Sequence, residues 1–179
     1  MTISLTELLD RFHACGESRD WAESLPTDTT IEQAWQMCEH GDWMLWIAAK
    51  LDVDQRLIVL SACGCARLAL RHVADGETRP LAAIETAEAW CRGAATIEQV
   101  RAAAYAVRAA ESAYPARAAA YAARAADAAT YTAGAAAYAV RAADAAYPET
   151  LARCADIARL HIPWAAVEAA ITAIESAKL

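Results

Sequence analysis

Three stretches decide the fold: Ala102-Ala-Ala-Tyr105-Ala-Val-Arg108-Ala-Ala-Glu111, Ala118-Ala-Ala-Tyr121-Ala-Ala-Arg124-Ala-Ala-Asp127 and Ala135-Ala-Ala-Tyr138-Ala-Val-Arg141-Ala-Ala-Asp144. They are one pattern written three times, with tyrosines 16 and 17 residues apart and Pro115, Gly134 and Pro148 as punctuation. Alanine is the strongest helix former, so the pattern predicts one helix per copy, with neighbours packed antiparallel across short turns. Small side chains bring helix axes toward the lower end of the usual ~8–10 Å separation. That closeness compensates for the small area each alanine buries, and the tyrosines are expected to supply the large core anchors of this half. Tyr, Arg and acid at i, i+3 and i+6 set an arginine beside an acid, a surface pairing worth only ~0.2–0.5 kcal/mol. The pattern suits either a solvated stripe or an anion-binding row.

Working outward, Thr96 with Gln99 forms a capping-box pattern that starts the first repeat helix. Pro80 suits the first turn of a helix that runs to Cys91. Gln55 to about His72 reads as a strong apolar helix closed at Asp75-Gly76, and Asp42 as the N-cap of a helix from Trp43 to about Lys50. Thr29 or Thr30 caps a helix from Ile31 to about Cys38, and residues 3–12 form a short amphipathic helix. The stretch between them, with Gly16 and Trp21, reads as a polar connector. Beyond the repeats, helices are expected at about Glu149–Leu160 and Pro163–Ser176. The expected fold is all-α, an antiparallel array of about eight to ten helices in one domain over 1–179. A Trp-rich non-repetitive half (1–95) joins an Ala-rich helical-hairpin half (96–179).

Composition agrees. Of 179 residues 50 are alanine, while 6 glycines and 5 prolines are too few for a barrel, a sandwich or a Gly-rich nucleotide loop. A net charge of −7 speaks against a general nucleic-acid binder, whose footprint is basic. The charge is uneven: residues 1–54 hold eleven acids against three bases, whereas 101–146 hold five arginines against three acids. An acidic front steers a basic partner, and it equally suits a plain solvated face. Arginine interrupts every alanine-rich stretch, which argues against a membrane span. Met1 to Leu9 has neither a basic nor a long apolar leader region, so a cytoplasmic setting is expected. There the six cysteines are expected to be reduced. Cys63 and Cys65 on one helix point about 200° apart, so the expected role of the cysteines is buried packing, and no metal or cofactor is expected.

No catalytic constellation stands out, and none is assigned: there is no phosphate loop, no His-Glu-x-x-His and no Gly-x-Ser-x-Gly. A thiol–imidazole pair such as Cys38 with His40 stays open from sequence, although closeness in sequence does not show a shared orientation. More distinctive are the six tryptophans beside a single phenylalanine. Trp43 and Trp46 share a helix face, with Trp21, Trp35 and Trp90 as candidates to join them. They suit a core, or an aromatic wall for a ligand or partner. Arg67 and Arg71 share a face of the next helix, and Arg79 and Arg92 bracket the helix bearing Trp90. Arginines beside tryptophans suit a planar anion such as a nucleotide, whereas Glu85 and Glu88 suit them equally as salt-bridge partners. A third, enzymatic reading takes Asp42, Glu85 or Glu88 as acid or base in a pocket.

The runs Gly41-Asp42-Trp43-Met44-Leu45-Trp46 and Ala62-Cys63-Gly64-Cys65-Ala66-Arg67, with Arg79-Pro80 and Ala87-Glu88-Ala89-Trp90, resemble the fifth predicted immunity-protein family of bacterial polymorphic toxin systems. The resemblance covers roughly residues 20–146, most specifically 38–92. It implies an all-α protein that neutralises a cognate toxin by binding, without catalysis, and it carries no catalytic residues. Asp42, Trp43, Trp46, Arg67, Arg79 and Trp90 are then the fold's own signature, and toxin binding falls on the acidic front or the repeat stripes. Two functions follow. A toxin inhibitor uses the acidic face of Asp10, Glu17, Asp20 and Glu23. A sponge for a nucleotide-derived signal, such as a phage anti-defence protein, uses a pocket of Trp43, Trp46, Arg67, Arg71, Arg79 and Trp90. The exposed alanine faces also leave homo-oligomers open.

Overall fold

The computed structural model describes residues 3–109, 121–122, 138–139 and 148–177. Among these the chain is all-helical, with no strand. The helices are α1 (Leu5–Arg11), α2 (Gly16–Ser24), α3 (Ile31–Met37), α4 (Gly41–Lys50), α5 (Gln55–Ala69), α6 (Arg79–Cys91), α7 (Ile97–Ala109), α8 (Pro148–His161) and α9 (Trp164–Ser176). A 3-10 turn, Leu70–His72, extends α5.

Local chemistry sets most helix starts. Thr30 and Gln33 close a capping box on α3, with bonds of 3.1 and 2.8 Å, and Thr96 and Gln99 make the same exchange at 3.3 and 2.8 Å before α7. Ser4 and Glu7 cap α1 in the same way, and the Arg56 amide donates to Asp54 Oδ1 at 2.9 Å before α5. Pro80 lies in the first turn of α6.

Three expectations need correcting. The stretch around Gly16 is helix α2; its inward stripe of Ser18, Trp21 and Ala22 follows i, i+3, i+4 spacing but is thinly apolar. Asp42 is not an N-cap, because α4 begins one residue earlier and Asp42 sits buried in its first turn, where a carboxylate is favoured by the helix dipole. Two of the three repeat tyrosines do not anchor the core: Tyr105 is 66% exposed and Tyr138 53%, while Tyr121 packs half-buried against it and Val100, Ala104, Val107, Ala122 and Ala139 are buried. Tyr121 and Tyr138 instead stack on each other with ring centroids 5.4 Å apart. The turns between repeats, and the Arg108, Arg124 and Arg141 pairings, fall outside the described residues.

Helix α8 is the centre of the packing. It lies against both α4 and α5, α5 packs on α6, and α6 on α7. Two glycines set its closest contacts. A Cβ on Gly41 would stand 2.5 Å from Cys154 Cβ, 2.6 Å from the Cys154 carbonyl carbon and 2.7 Å from the Ala155 nitrogen. On Gly64 it would stand 2.7 Å from Ile157 Cγ2. Next to these contacts Arg159 of α8 reaches the end of α3, donating to the carbonyl oxygens of Trp35 (3.1 Å) and Cys38 (2.9 Å) while pairing with Asp156 at 2.8 Å. A cation on the last carbonyls of a helix satisfies orphan acceptors and opposes the negative end of the dipole. At the far edge the Ile3 amide donates to Glu175 Oε1 of α9 at 2.6 Å, and α9 lies against α3.

Two predictions follow from this packing. Gly41→Ala drives a methyl into the backbone of α8 and is expected to cost about 3 kcal/mol or more. Gly64→Ala meets only a side-chain methyl, so trimming Ile157→Ala relieves it. In urea unfolding the Gly64→Ala/Ile157→Ala pair is expected to fall at least ~1 kcal/mol short of additivity, while Gly41→Ala/Ile157→Ala stays additive. Separately, Arg159→Met is expected to lose about 2–3 kcal/mol, since two charge-assisted bonds to carbonyls disappear together. A loss below about 0.5 kcal/mol would show that α3 is held by other contacts.

Candidate functional site

Helix α4 projects Trp43 and Trp46 from one face, as their spacing requires, toward α1, α2 and α3. Trp21 of α2 and Trp35 of α3 join them around a cavity of about 290 Å³. Aliphatic side chains of α1, α3, α4 and α9 complete the wall. Trp43 is held between two rings. The His40 imidazole lies flat on it, with centroids 3.6 Å apart and planes 7° apart, and Trp21 meets it tilted by 56° at 6.1 Å. Lys50 sits 5.8 Å over the Trp46 ring, a cation–π arrangement.

Polar groups in this wall are few. Asp42 is 5% exposed and stands 3.9 Å from His40 Nδ1. Trp35 is 5% exposed, and its indole Nε1 has no hydrogen-bond partner among the described residues. His13 and Cys15 are exposed at the edge, on the turn between α1 and α2. His13 adopts a φ of 54° there, in the left-handed region that non-glycine residues seldom enter.

The arginines do not join the tryptophans. None of Arg67, Arg71 and Arg79 lines the cavity, nor does Trp90, which packs half-buried against the main core. Arg67 makes a two-pronged pair with Glu88 at 2.8 and 2.9 Å, tying α5 to α6. The Arg71 Nε donates to His72 at 3.0 Å. Arg79 grips Glu77, and that guanidinium pulls the Glu77 carboxyl down to about 2. The salt-bridge expectation for Glu88 therefore holds with Arg67, while Glu85 is exposed.

The cysteines pack as small hydrophobes. Cys38, Cys63, Cys65, Cys91 and Cys154 are buried and free, and Cys15 is exposed. Cys63 points its thiol at Ile84 of α6 and Cys65 at Cys154 of α8, on opposite sides of α5. Burial pushes the Cys38 thiol up to about 11. That sulfur contacts the His40 backbone at 3.4 Å, while the imidazole is stacked on Trp43, so the two do not form a thiolate–imidazole pair. Among the described residues no group of three or more His, Cys, Asp or Glu is placed to hold a metal ion. No single described helix is long and apolar enough to cross a membrane.

A second concavity lies between α1, the α2–α3 loop and α9. It encloses about 530 Å³, and Glu23, Glu32, Glu168 and Glu175 line it among threonine hydroxyls. Of the acidic-front residues only Glu23 reaches it; Asp10, Glu17 and Asp20 are exposed on α1 and α2, with Asp10 3.7 Å from Arg19. Glu32, Glu168 and Glu175 escape sequence reasoning. Glu168, Thr172 and Glu175 do recur at i, i+4, i+7 along α9, a readable face, but nothing local says that it faces α1 and the α2–α3 loop.

A family model described as "Imm-5 like putative immunity protein" matches residues 50–163. No curated protein and no solved structure matches the chain. The matched segment includes α5 to α8 and the repeats, so it holds most of the central packing, whereas the acidic groove lies wholly outside it and the tryptophan cavity almost wholly. With the match covering well over half its length, the chain belongs to the Imm-5 like immunity-protein family.

Proposed function

We propose that the protein neutralises a basic protein toxin by binding it, without turnover, through an acidic surface formed by its N-terminal third together with α9. The observation that carries this reading is the groove of Glu23, Glu32, Glu168 and Glu175, set on a member of an immunity family. Four carboxylates in one concavity repel one another, and a lysine- or arginine-bearing surface relieves that repulsion. Eleven acids against three bases in residues 1–54 extend the same field beyond the groove, which speeds encounter with a basic partner. The groove and the matched segment do not overlap, so a common scaffold carries a surface that can differ in its choice of toxin. Five buried free thiols suit a reducing compartment, and a cytoplasmic site of action belongs to this reading.

The nucleotide-sponge reading draws no support from the geometry. Its arginines are engaged by Glu88, His72 and Glu77, away from the tryptophans. Cys38 and His40 do not pair as thiolate and imidazole, since the imidazole is stacked on Trp43.

The test begins with the toxin captured by the chain from its own host. Replacing Asp10, Glu17, Asp20 and Glu23 together by lysine is expected to slow association about tenfold or more in stopped flow at low salt, with dissociation changed far less. The wild-type rate should also fall as ionic strength rises. An association rate indifferent to both changes would remove the acidic front from the interface.

A further inference from the structure

We propose that the α1–α2 hairpin is a detachable cover, which lifts from the tryptophan wall as one unit while the helices from α3 onward stay folded. The two concavities described above both lie where this hairpin meets the body. Leu9 and Trp21 of the hairpin line one of them with Trp35, Trp43 and Trp46, around about 290 Å³. Thr6 and Glu23 line the other with Glu32, Glu168 and Glu175, around about 530 Å³. Empty space at a contact forfeits the dispersion attraction that close packing supplies. This seam is therefore weaker than the contacts of α8 with α4 and α5, where two glycines let the helices touch.

Within itself the hairpin is tied more closely. Leu9, Ala14 and Ala22 form a small apolar cluster apart from the main core. The Arg19 guanidinium of α2 donates twice to the Ala14 carbonyl oxygen, at 2.9 and 2.6 Å, and stands 3.7 Å from Asp10 of α1. Attachments to the body include Leu8, 2% exposed in the main core, Trp21 tilted on Trp43, and the Ile3 amide on Glu175. Helices of seven and nine residues do not persist alone in water, so a lifted hairpin melts. Cys38 then reports the event. It is buried and lines the tryptophan cavity, whereas Cys65 and Cys154 are buried where α5 meets α8 and stay covered. The use of such a cover rests on the toxin reading. Asp10, Glu17, Asp20 and Glu23 all ride on the hairpin, so lifting separates Glu23 from Glu32, Glu168 and Glu175. A basic partner that spans both sides binds the closed form alone and holds the cover down.

The experiment labels the thiols of the full chain with N-ethylmaleimide, read peptide by peptide in a mass spectrometer, beside hydrogen exchange in the same buffer. Cys38 is expected to label at least about tenfold faster than Cys65 or Cys154, with the α1 and α2 amides exchanging through one common opening ahead of α5 and α8. Leu8→Ala removes the main anchor and is expected to speed Cys38 labelling about tenfold or more. Glu175→Leu removes the Ile3 acceptor near the surface and is expected to speed it about threefold; it decides the matter should Leu8→Ala unfold the chain. Val59→Ala loosens α5 within the body, and is expected to speed Cys65 and Cys154 about tenfold while leaving Cys38 unchanged. Cys38 labelling no faster than Cys65 overturns the proposal, as does a Cys38 rate that follows Val59→Ala. So does α1 exchanging independently of α2, or an unchanged Cys38 rate in folded Leu8→Ala or Glu175→Leu protein. No arm uses a toxin: a cover that fails to lift leaves the toxin reading standing, and an association rate indifferent to charge leaves the lifting standing.

Discussion

Helix α8 touches the backbone of its neighbours, and the rest of the molecule is arranged around that contact. Gly41 lets the first turn of α4 rest on the main chain at Cys154 and Ala155, and Gly64 admits the Ile157 side chain against α5. With few large residues available, attraction between these helices depends on many short contacts rather than a few broad ones. Close approach is thus a requirement of an alanine-rich sequence, and glycine at two positions makes it possible. Cys65, Cys154, Ala155 and Ala158, all fully buried, are the matching small residues at this junction. Arg159 then uses the same helix to fasten α3 by its C-terminal carbonyls.

The N-terminal helices are attached differently. α1 and α2 pack on each other, α3 is held by Arg159 and α9, and Ile3 is bonded to Glu175. Large indoles fill the space between these elements and α4, and flat rings of that size do not interdigitate as alanines do. The result is a cavity beside a tight core. Both concavities arise on this looser side, where charge is concentrated as well. The division matches the family comparison, since residues 50–163 include α5 to α8 and the two surface features belong to the remainder.

Part of the site was legible in advance. Trp43 and Trp46 had to share a face, and Trp21 and Trp35 were sound companions, because helical spacing alone relates the first pair and tryptophan's size makes the others join a common cluster. The arginines form no pocket with the tryptophans because nearer partners engage them: Glu77 two residues from Arg79, His72 beside Arg71, and Glu88 one helix away from Arg67. The groove acids at 168 and 175 were invisible, since 136 residues separate Glu32 from Glu168.

The sequence by itself determined the all-helical class, most helix starts, the clustering of acid in the first 54 residues and the use of most cysteines as small packing groups. These follow from alanine propensity, capping pairs within four residues and local composition, all short-range. Only the tertiary structure decided which face each helix buries. In α7 Ala104 and Val107 are buried and Ala106 is exposed, whereas Ala122 and Ala139, at the position of Ala106 in the later repeats, are fully buried. The same position of the pattern is thus exposed in one copy and buried in the other two, because an alanine fits either side of a helix and only its neighbours decide. That choice put Tyr105 and Tyr138 at the surface.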